Sequence, residues 1–355
     1  MDSQEEKKKE ASVRLGVEPE EGWTFEYAPK VDASGKQPAQ GPIIRSTLAK
    51  DGLTPPVFEG CKTLHEVFER SVSLYKDMPC LGTRHVEDDG TASEYRFATY
   101  GEIGEQVTHL ASALMHQGIQ SKDAVGVFGA NSAEWMVAMQ ACNRMNAKTV
   151  PLYDTLGETA VEFIIEHASC KAIIVQAAKI GDLIKSKGKV PSVKLIGYWG
   201  DASESDLEAI ESMGVPVFSF ADLIQVGAKN PKGPQKSSPD DTCTLMYTSG
   251  TTGTPKGVVI KQSNIMSQMS SVRIGLKQTG NDVHPDDVFI SYLPLAHIFD
   301  RIIEVRSRET RHTAPIPTPS CHQIPIIHSL TLLSFPSPRS TCSLRAPPSD
   351  TGKGT

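Results

Sequence analysis

Through the middle of the chain, short all-apolar runs alternate with stretches whose apolar residues recur every three to four positions. Ile103, Val107, Leu110, Ala111 and Leu114 form one helical face, opened by Thr99 and Glu102 as a capping box and stopped by Gly118. Thr63 and Glu66 repeat that device for a helix beginning near Leu64. Residues 124–128 are uniformly apolar and too few for a helix, so they predict a buried strand. A turn at Gly129-Ala130-Asn131 follows, then a helix capped by Ser132 and running to about Met145. Further strands are expected at 149–152, 172–175, 195–198 and 217–220, with helices over 158–167, 180–187 and 204–212 between them. This alternation predicts βαβ units and a mainly parallel sheet covered on both faces, an α/β fold.

The flanks have another texture. Residues 1–60 are polar, broken by Pro and Gly, and read as an arm lying over the domain or partly disordered. Residues 229–240 read as a linker, Ser263 or Asn264 as the cap of a helix to about Lys277, and 287–292 as a strand. Residues 306–355 hold 8 of the 24 Pro, 8 Ser, 7 Thr and two acidic residues against six Arg and Lys. No periodicity survives there, so too little apolar surface can be buried to offset ordering entropy, and a disordered tail is expected.

Composition narrows the function without naming it. With 39% hydrophobic and 22% charged residues the chain is an ordinary globular one, and its net charge of -6 leaves no basic footprint for nucleic acid. Seven scattered Cys without a C-x-x-C suit reduced thiols in a cytosol-facing protein, not a disulfide framework or a zinc site. The charged N-terminus is no secretory signal, and the apolar stretch 324–335 is about half of what a bilayer span needs. Any membrane association is therefore expected to be peripheral.

The most specific chemistry lies in Tyr247-Thr248-Ser249-Gly250-Thr251-Thr252-Gly253-Thr254-Pro255-Lys256-Gly257, set between two apolar runs. Gly lets backbone N–H groups converge, hydroxyls add donors, and a Lys stands beside them, which is what a polyphosphate requires. Pro255 stands where a Walker A loop has Gly, and no G-x-G-x-x-G kinase loop is present. The segment resembles the AMP-binding signature of the adenylate-forming enzymes. A second segment, Tyr292-Leu293-Pro294-Leu295-Ala296-His297-Ile298-Phe299-Asp300-Arg301, is similar to the long-chain acyl-CoA synthetase branch of that family, plant-type in its entry segment Gly41-Pro42-Ile43-Ile44-Arg45-Ser46. Residues 151–157 and 129–135 carry the same likeness, which runs from about Gly41 to Glu304. The resemblance implies a 1–60 arm, a partial AMP-binding domain over 61–305 and an unrelated tail over 306–355. Glu304-Val305-Arg306 can be encoded as an exon end followed by a splice donor, so a retained intron or a mispredicted exon boundary is the expected origin of that tail, with a genuine family-specific tail as the alternative.

The family reaction joins a carboxylate to ATP as an acyl-adenylate, releasing pyrophosphate, and then transfers the acyl group to CoA. The resemblance gives Thr248, Ser249, Gly250, Thr251, Thr252, Gly253 and Lys256 to the ATP phosphates, and His297 to the catalytic position near the acyl mouth. Tyr247 is expected to pack under the loop, and Asp300 and Arg301 to cap and pair locally. No metal ligand is expected in the chain: the Tyr-Gly-x-Thr-Glu segment that holds Mg²⁺ in the family has no match, nor do the ribose-binding Thr-Gly-Asp and the Lys of the closing domain. The implied substrates are a long-chain fatty acid, ATP and CoA, at a cytosol-facing site on the endoplasmic reticulum or another organelle membrane. The chain as it stands is expected to be inactive alone. A non-catalytic or weakly nucleotide-binding protein is one alternative, and a ligase for a shorter or aryl acid is another.

Overall fold

The computed structural model describes residues 24–34, 38–49, 52–84, 89, 91–153, 160–185, 191–248, 254–278, 289–298, 301 and 314–316. The first elements are β1 (Thr24–Ala28), β2 (Ile43–Ser46), α1 (Leu64–Tyr75), β3 (Pro79–Thr83), β4 (Arg96–Thr99) and α2 (Tyr100–His116). The alternating core follows as β5 (Ala124–Phe128), α3 (Ala133–Arg144), β6 (Lys148–Leu152), α4 (Ala160–His167), β7 (Cys170–Gln176) and α5 (Ile180–Ile184). It continues through β8 (Leu195–Trp199), α6 (Glu204–Glu211), β9 (Val217–Ser219) and α7 (Phe220–Lys229). The last elements are β10 (Thr242–Thr248), β11 (Lys256–Lys261), α8 (Gln262–Gln278) and β12 (Ala314–Ile316).

Among the described residues seven strands make the central sheet, in the order β11-β10-β6-β5-β7-β8-β9. All neighbours are parallel except β11, which folds back antiparallel on β10 as an edge. Successive strand residues face opposite sides. Val125, Val127, Ala172 and Ile174 join one core with α1, α2, α3, α7 and α8, while Ala124, Phe128, Ile173 and Val175 join another with α4, α5 and α6. The steps β5 to β6 and β9 to β10 run one way along the sheet and carry α3 and α7 on one face. The steps from β6 through β7 and β8 to β9 run the other way and put α4, α5 and α6 opposite, as right-handed crossovers require. The direction reverses at β5 and β7, and the crevice beyond their C-terminal ends is where open α/β sheets bind ligands.

Local signals form as expected. Thr63–Glu66 and Thr99–Glu102 are complete capping boxes, and Ser132 Oγ accepts from the Trp135 N–H. Gly118 takes φ +85°, a conformation glycine adopts without strain, and ends the α2 segment.

Several expectations need correction. The described part of the 1–60 arm is not irregular: β1 and β2 pair antiparallel, and Val31 bridges Gln40. The strand at 217–220 ends at Ser219, whose Oγ accepts from the Asp222 N–H and starts α7, a helix that was not expected. Likewise β3 and β4 were not expected. The helix α8 starts at Gln262, ahead of both proposed caps, and Asn264 Oδ1 accepts from the Lys261 N–H instead. Among the described residues, 289–292 pair with no strand, and the rest of that expected strand lies outside them. The stretch 230–240 has no helix or strand, yet it is tied down: the Gln235 N–H donates to the Arg144 carbonyl, and Asn146 Nδ2 donates to the Lys236 carbonyl. Within 306–355, expected to be disordered, residues 314–316 form β12, parallel to β3 in a second sheet ordered β12-β3-β4. The remainder of 306–355 lies outside the described residues.

Candidate functional site

The Gly/Ser/Thr loop hangs from the C-terminal end of β10. Thr248 and Lys256 are register partners, so the two ends of the loop stand side by side and both side chains are exposed. Ser249, Gly250, Thr251, Thr252 and Gly253 lie outside the described residues. Beneath the loop, Tyr247 is 1% exposed and packs as expected. Its Oη lies 2.7 Å from His167 Nδ1, its carbonyl accepts from Tyr153 Oη, and Phe163 meets its ring edge-on at 6.4 Å. Burial, with Cys170 adding, pushes the Tyr247 phenol up to about 12, so it stays protonated and can donate to His167. A Cβ at Gly257 would sit 3.1 Å from Tyr247 Cζ, which explains a bare backbone opposite the ring.

The described part of the second motif, 292–298, with Ser291 before it, crosses the C-terminal end of β5. Ser291 and Leu295 are fully buried, while His297 is exposed, with its N–H donating to the Pro294 carbonyl at 2.8 Å. Asn131, in the turn after β5, holds this segment: its Nδ2 donates to Ser291 Oγ and to the Leu293 carbonyl, and its Oδ1 accepts from the Leu295 N–H. The strand order places β10 two positions from β5. At about 4.8 Å per strand, the ends carrying the two motifs are roughly 10 Å apart, on the same side of the sheet and next to its switch point.

Arg301 departs from its expected local role. It is 2% exposed, and its Nη2 donates to Thr244 Oγ1 on β10 at 2.9 Å. Its Nε lies 3.2 Å from Met139 Sδ, and its guanidinium faces the Trp135 ring at 5.7 Å. Burial lowers it to about 10, against the raising pull of Cys243 and Cys142, so it remains a cation at neutral pH. Among the described residues no carboxylate pairs with it, and Nη1 has no hydrogen-bond partner. Asp300 lies outside the described residues.

Sequence reading missed Asn131, His167 and Arg301 as parts of this arrangement. Asn131 and Arg301 lay in family-like segments, 129–135 and 292–301, without a sign of the partners they reach, and His167 carried no signal. Among the described residues no group of three or more His, Cys, Asp or Glu could hold a metal ion. No helix among them is long and apolar enough to cross a membrane.

An α/β sheet with a Gly/Ser/Thr loop and a His-bearing segment at one end of its parallel strands defines a class. Residues 68–306 match the family described as AMP-binding enzyme, and the chain belongs to it. It is 38% identical over 287 residues to Long chain acyl-CoA synthetase 4 of Arabidopsis thaliana, covering 79% of this chain and 42% of that protein. Over 243 residues it is 41% identical to the peroxisomal Long chain acyl-CoA synthetase 6 of the same plant, covering 68% and 34%. The chain thus spans less than half the length of these relatives. Among solved structures, the adenylation domain of a carboxylate reductase from Mycobacterium chelonae superposes with TM-score 0.64 at 25% identity, covering 75% of this chain and 44% of that one. The A domain of a carboxylic acid reductase from Segniliparus rugosus, in complex with AMP and a co-purified carboxylic acid, superposes at 0.62 with 20% identity, covering 74% and 46%, and supports the fold alone.

Proposed function

We propose that this chain carries the ATP-phosphate side and part of the acyl side of a long-chain fatty acid–CoA ligase of the AMP-forming kind. The observation that carries the reading is the Thr248–Lys256 register pair, which opens a donor-rich loop at the ligand-binding end of a parallel sheet. Hydroxyls of Thr248, Ser249, Thr251 and Thr252 and the backbone at Gly250 and Gly253 take the phosphates, and Lys256 neutralises charge on the β- and γ-phosphates. His297, exposed above β5, hydrogen-bonds an oxygen of the acyl carboxylate or adenylate. The carboxylate attacks the α-phosphorus, pyrophosphate leaves, and the CoA thiol then displaces AMP. Catalysis of this kind rests on positioning and charge neutralisation. The chain spans less than half the length of its relatives, and ATP binding is the part of the reaction assigned to it here.

We place the protein on the cytosolic side of an organelle membrane, in peripheral contact. The exposed apolar side chains Tyr27, Ile43, Ile44 and Leu53 of the N-terminal segment support that contact. The deciding experiment is calorimetric titration of the purified chain with ATP, alongside the Thr251→Ala/Thr252→Ala variant. Saturable binding weakened by the double substitution is expected. No binding in the millimolar range, or equal binding by the variant, overturns the reading.

A further inference from the structure

His297 lies between two anchors along its own stretch of chain, one on each side. On its N-terminal side, Asn131 makes four contacts to one short segment. Nδ2 donates to Ser291 Oγ at 3.0 Å, to the Ser291 carbonyl at 3.3 Å and to the Leu293 carbonyl at 2.6 Å, and Oδ1 accepts from the Leu295 N–H at 2.8 Å. The turn that bears Asn131 is itself fixed. The Ala130 N–H donates to Gln176 Oε1 at the end of β7, and the next residue, Ser132, caps α3. A side chain held this way, between a strand and a capped helix, is a rigid bracket.

On the C-terminal side, the Arg301 N–H reaches the His297 carbonyl at 3.5 Å while its side chain runs inward. That side chain ends on Thr244, four residues before Thr248 on the strand that leads into the phosphate loop. Its other contacts, Met139 and Trp135, are on α3. A fully buried cation with no carboxylate partner among the described residues is an expensive way to hold a turn, and apolar packing would do that more cheaply. What a guanidinium adds is direction: a planar donor set that fixes one geometry between the His297 segment and β10.

We infer that Asn131 and Arg301 are positioning residues that hold His297 in a set place relative to the phosphate loop, acting from the two ends of one segment. The inference rests on the reading of His297 and the loop as parts of one acyl-adenylate site. Asn131 joins the segment to the β5–β7 switch point, and Arg301 joins it to β10. Together they tie the His297 segment to the strand that leads into the loop, about fifty residues away in sequence, and adenylation depends on such orientation.

The test compares wild type, Asn131→Ala and Thr244→Val, the last removing the Arg301 acceptor while keeping its shape, in the 355-residue chain. Amide hydrogen exchange at Leu295 and His297 is expected to rise about tenfold in Asn131→Ala, with α7 amides unchanged. Thr244→Val keeps the question open to measurement should Asn131→Ala fail to fold, and it is expected to raise exchange at Arg301. A non-hydrolysable palmitoyl-adenylate analogue, titrated calorimetrically, is expected to lose about tenfold in affinity with either substitution. In a His297→Ala background the same substitutions are expected to cost almost nothing further, which a general structural role would not produce. Unchanged exchange in both variants, or losses that add in full to that of His297→Ala, overturn the inference. If wild type binds no analogue, the acyl-adenylate reading falls, and with it the positioning role assigned here. Faster exchange would then leave only a structural clamp.

Discussion

A Cβ on Gly227 would fall inside the backbone carbonyl of His109, so α7 and α2 touch where only glycine fits. The same helix is pressed against the sheet from below, where a Cβ on Gly197 of β8 would lie 2.6 Å from Leu223 Cδ1. In an exposed helix, replacing Gly by Ala gains up to about 1 kcal/mol. Here Gly227→Ala must separate two helices that share one core, and overpacking of this kind costs about 1–3 kcal/mol. Denaturant unfolding checks the sign: a neutral or stabilising result would show that α7 moves without penalty.

Gln262 joins the exit of the β10–β11 hairpin to α1. It is 1% exposed, and its Oε1 accepts from the Leu64 N–H at 3.0 Å, one of the amides that α1 cannot satisfy itself. Gln262→Ala leaves that donor buried and unpaired, and a loss of about 1–3 kcal/mol is expected. Exchange at the Leu64 amide should rise with it. Wild-type stability with a protected Leu64 amide would mean another acceptor takes over.

What was legible in the sequence was local. The caps at Thr63, Thr99 and Ser132 are side chain–backbone pairs three residues apart, and the buried strands are unbroken apolar runs, so both can be read without knowing the fold. The helix α7 had the same kind of signal in Ser219 and Asp222, with Phe220, Leu223 and Gly227 at helical spacing. Its first residue was absorbed into the apolar run of β9. The pair β3–β4 gave nothing comparable, because Pro79–Thr83 is short and finds its partner only across an intervening loop. The site divides the same way. Lys256 and His297 stand in contiguous motifs, whereas Asn131 meets Ser291 across 160 positions, His167 meets Tyr247 across 80, and Arg301 meets Thr244 across 57. Such partners are set by strand order, which spacing along one chain does not reveal.

His65 makes stability pH-dependent. It is buried on α1, with no hydrogen-bond partner for Nδ1 among the described residues and with Nε2 3.8 Å from Glu69. Burial pushes its imidazole below the ordinary 6.5, outweighing the raising pull of Glu69, while Arg144 lowers it further. The folded state therefore binds a proton less readily than the unfolded chain. Its contribution to stability is complete above 6.5 and is lost as pH falls from there through the folded-state value. His65→Leu is expected to narrow the stability difference between pH 7.5 and about pH 5.5, measured by denaturant unfolding. An unchanged difference would assign the acid sensitivity to other groups.

The proposed role of Lys256 predicts that it tells nucleotides apart by the phosphates they carry. It is exposed at the first position of β11, opposite Thr248, and the loop between them is where a triphosphate is proposed to lie. A lysine beside the β- and γ-phosphates contributes through charge-assisted hydrogen bonds worth about 1.5–3 kcal/mol. Lys256→Ala should therefore weaken ATP binding by roughly one to two orders of magnitude. AMP, which has neither of those phosphates, should bind the variant within about twofold of wild type on the same argument. The lysine's share should also fade at high salt, because exposed charges are screened beyond about 8–10 Å at physiological ionic strength, so the wild-type advantage is expected to shrink as salt rises. Calorimetric titrations of both nucleotides at low and high salt check all of this. Equal losses for ATP and AMP would move the Lys256 contact to the α-phosphate, and no loss for either would leave it a solvated lysine at a strand end.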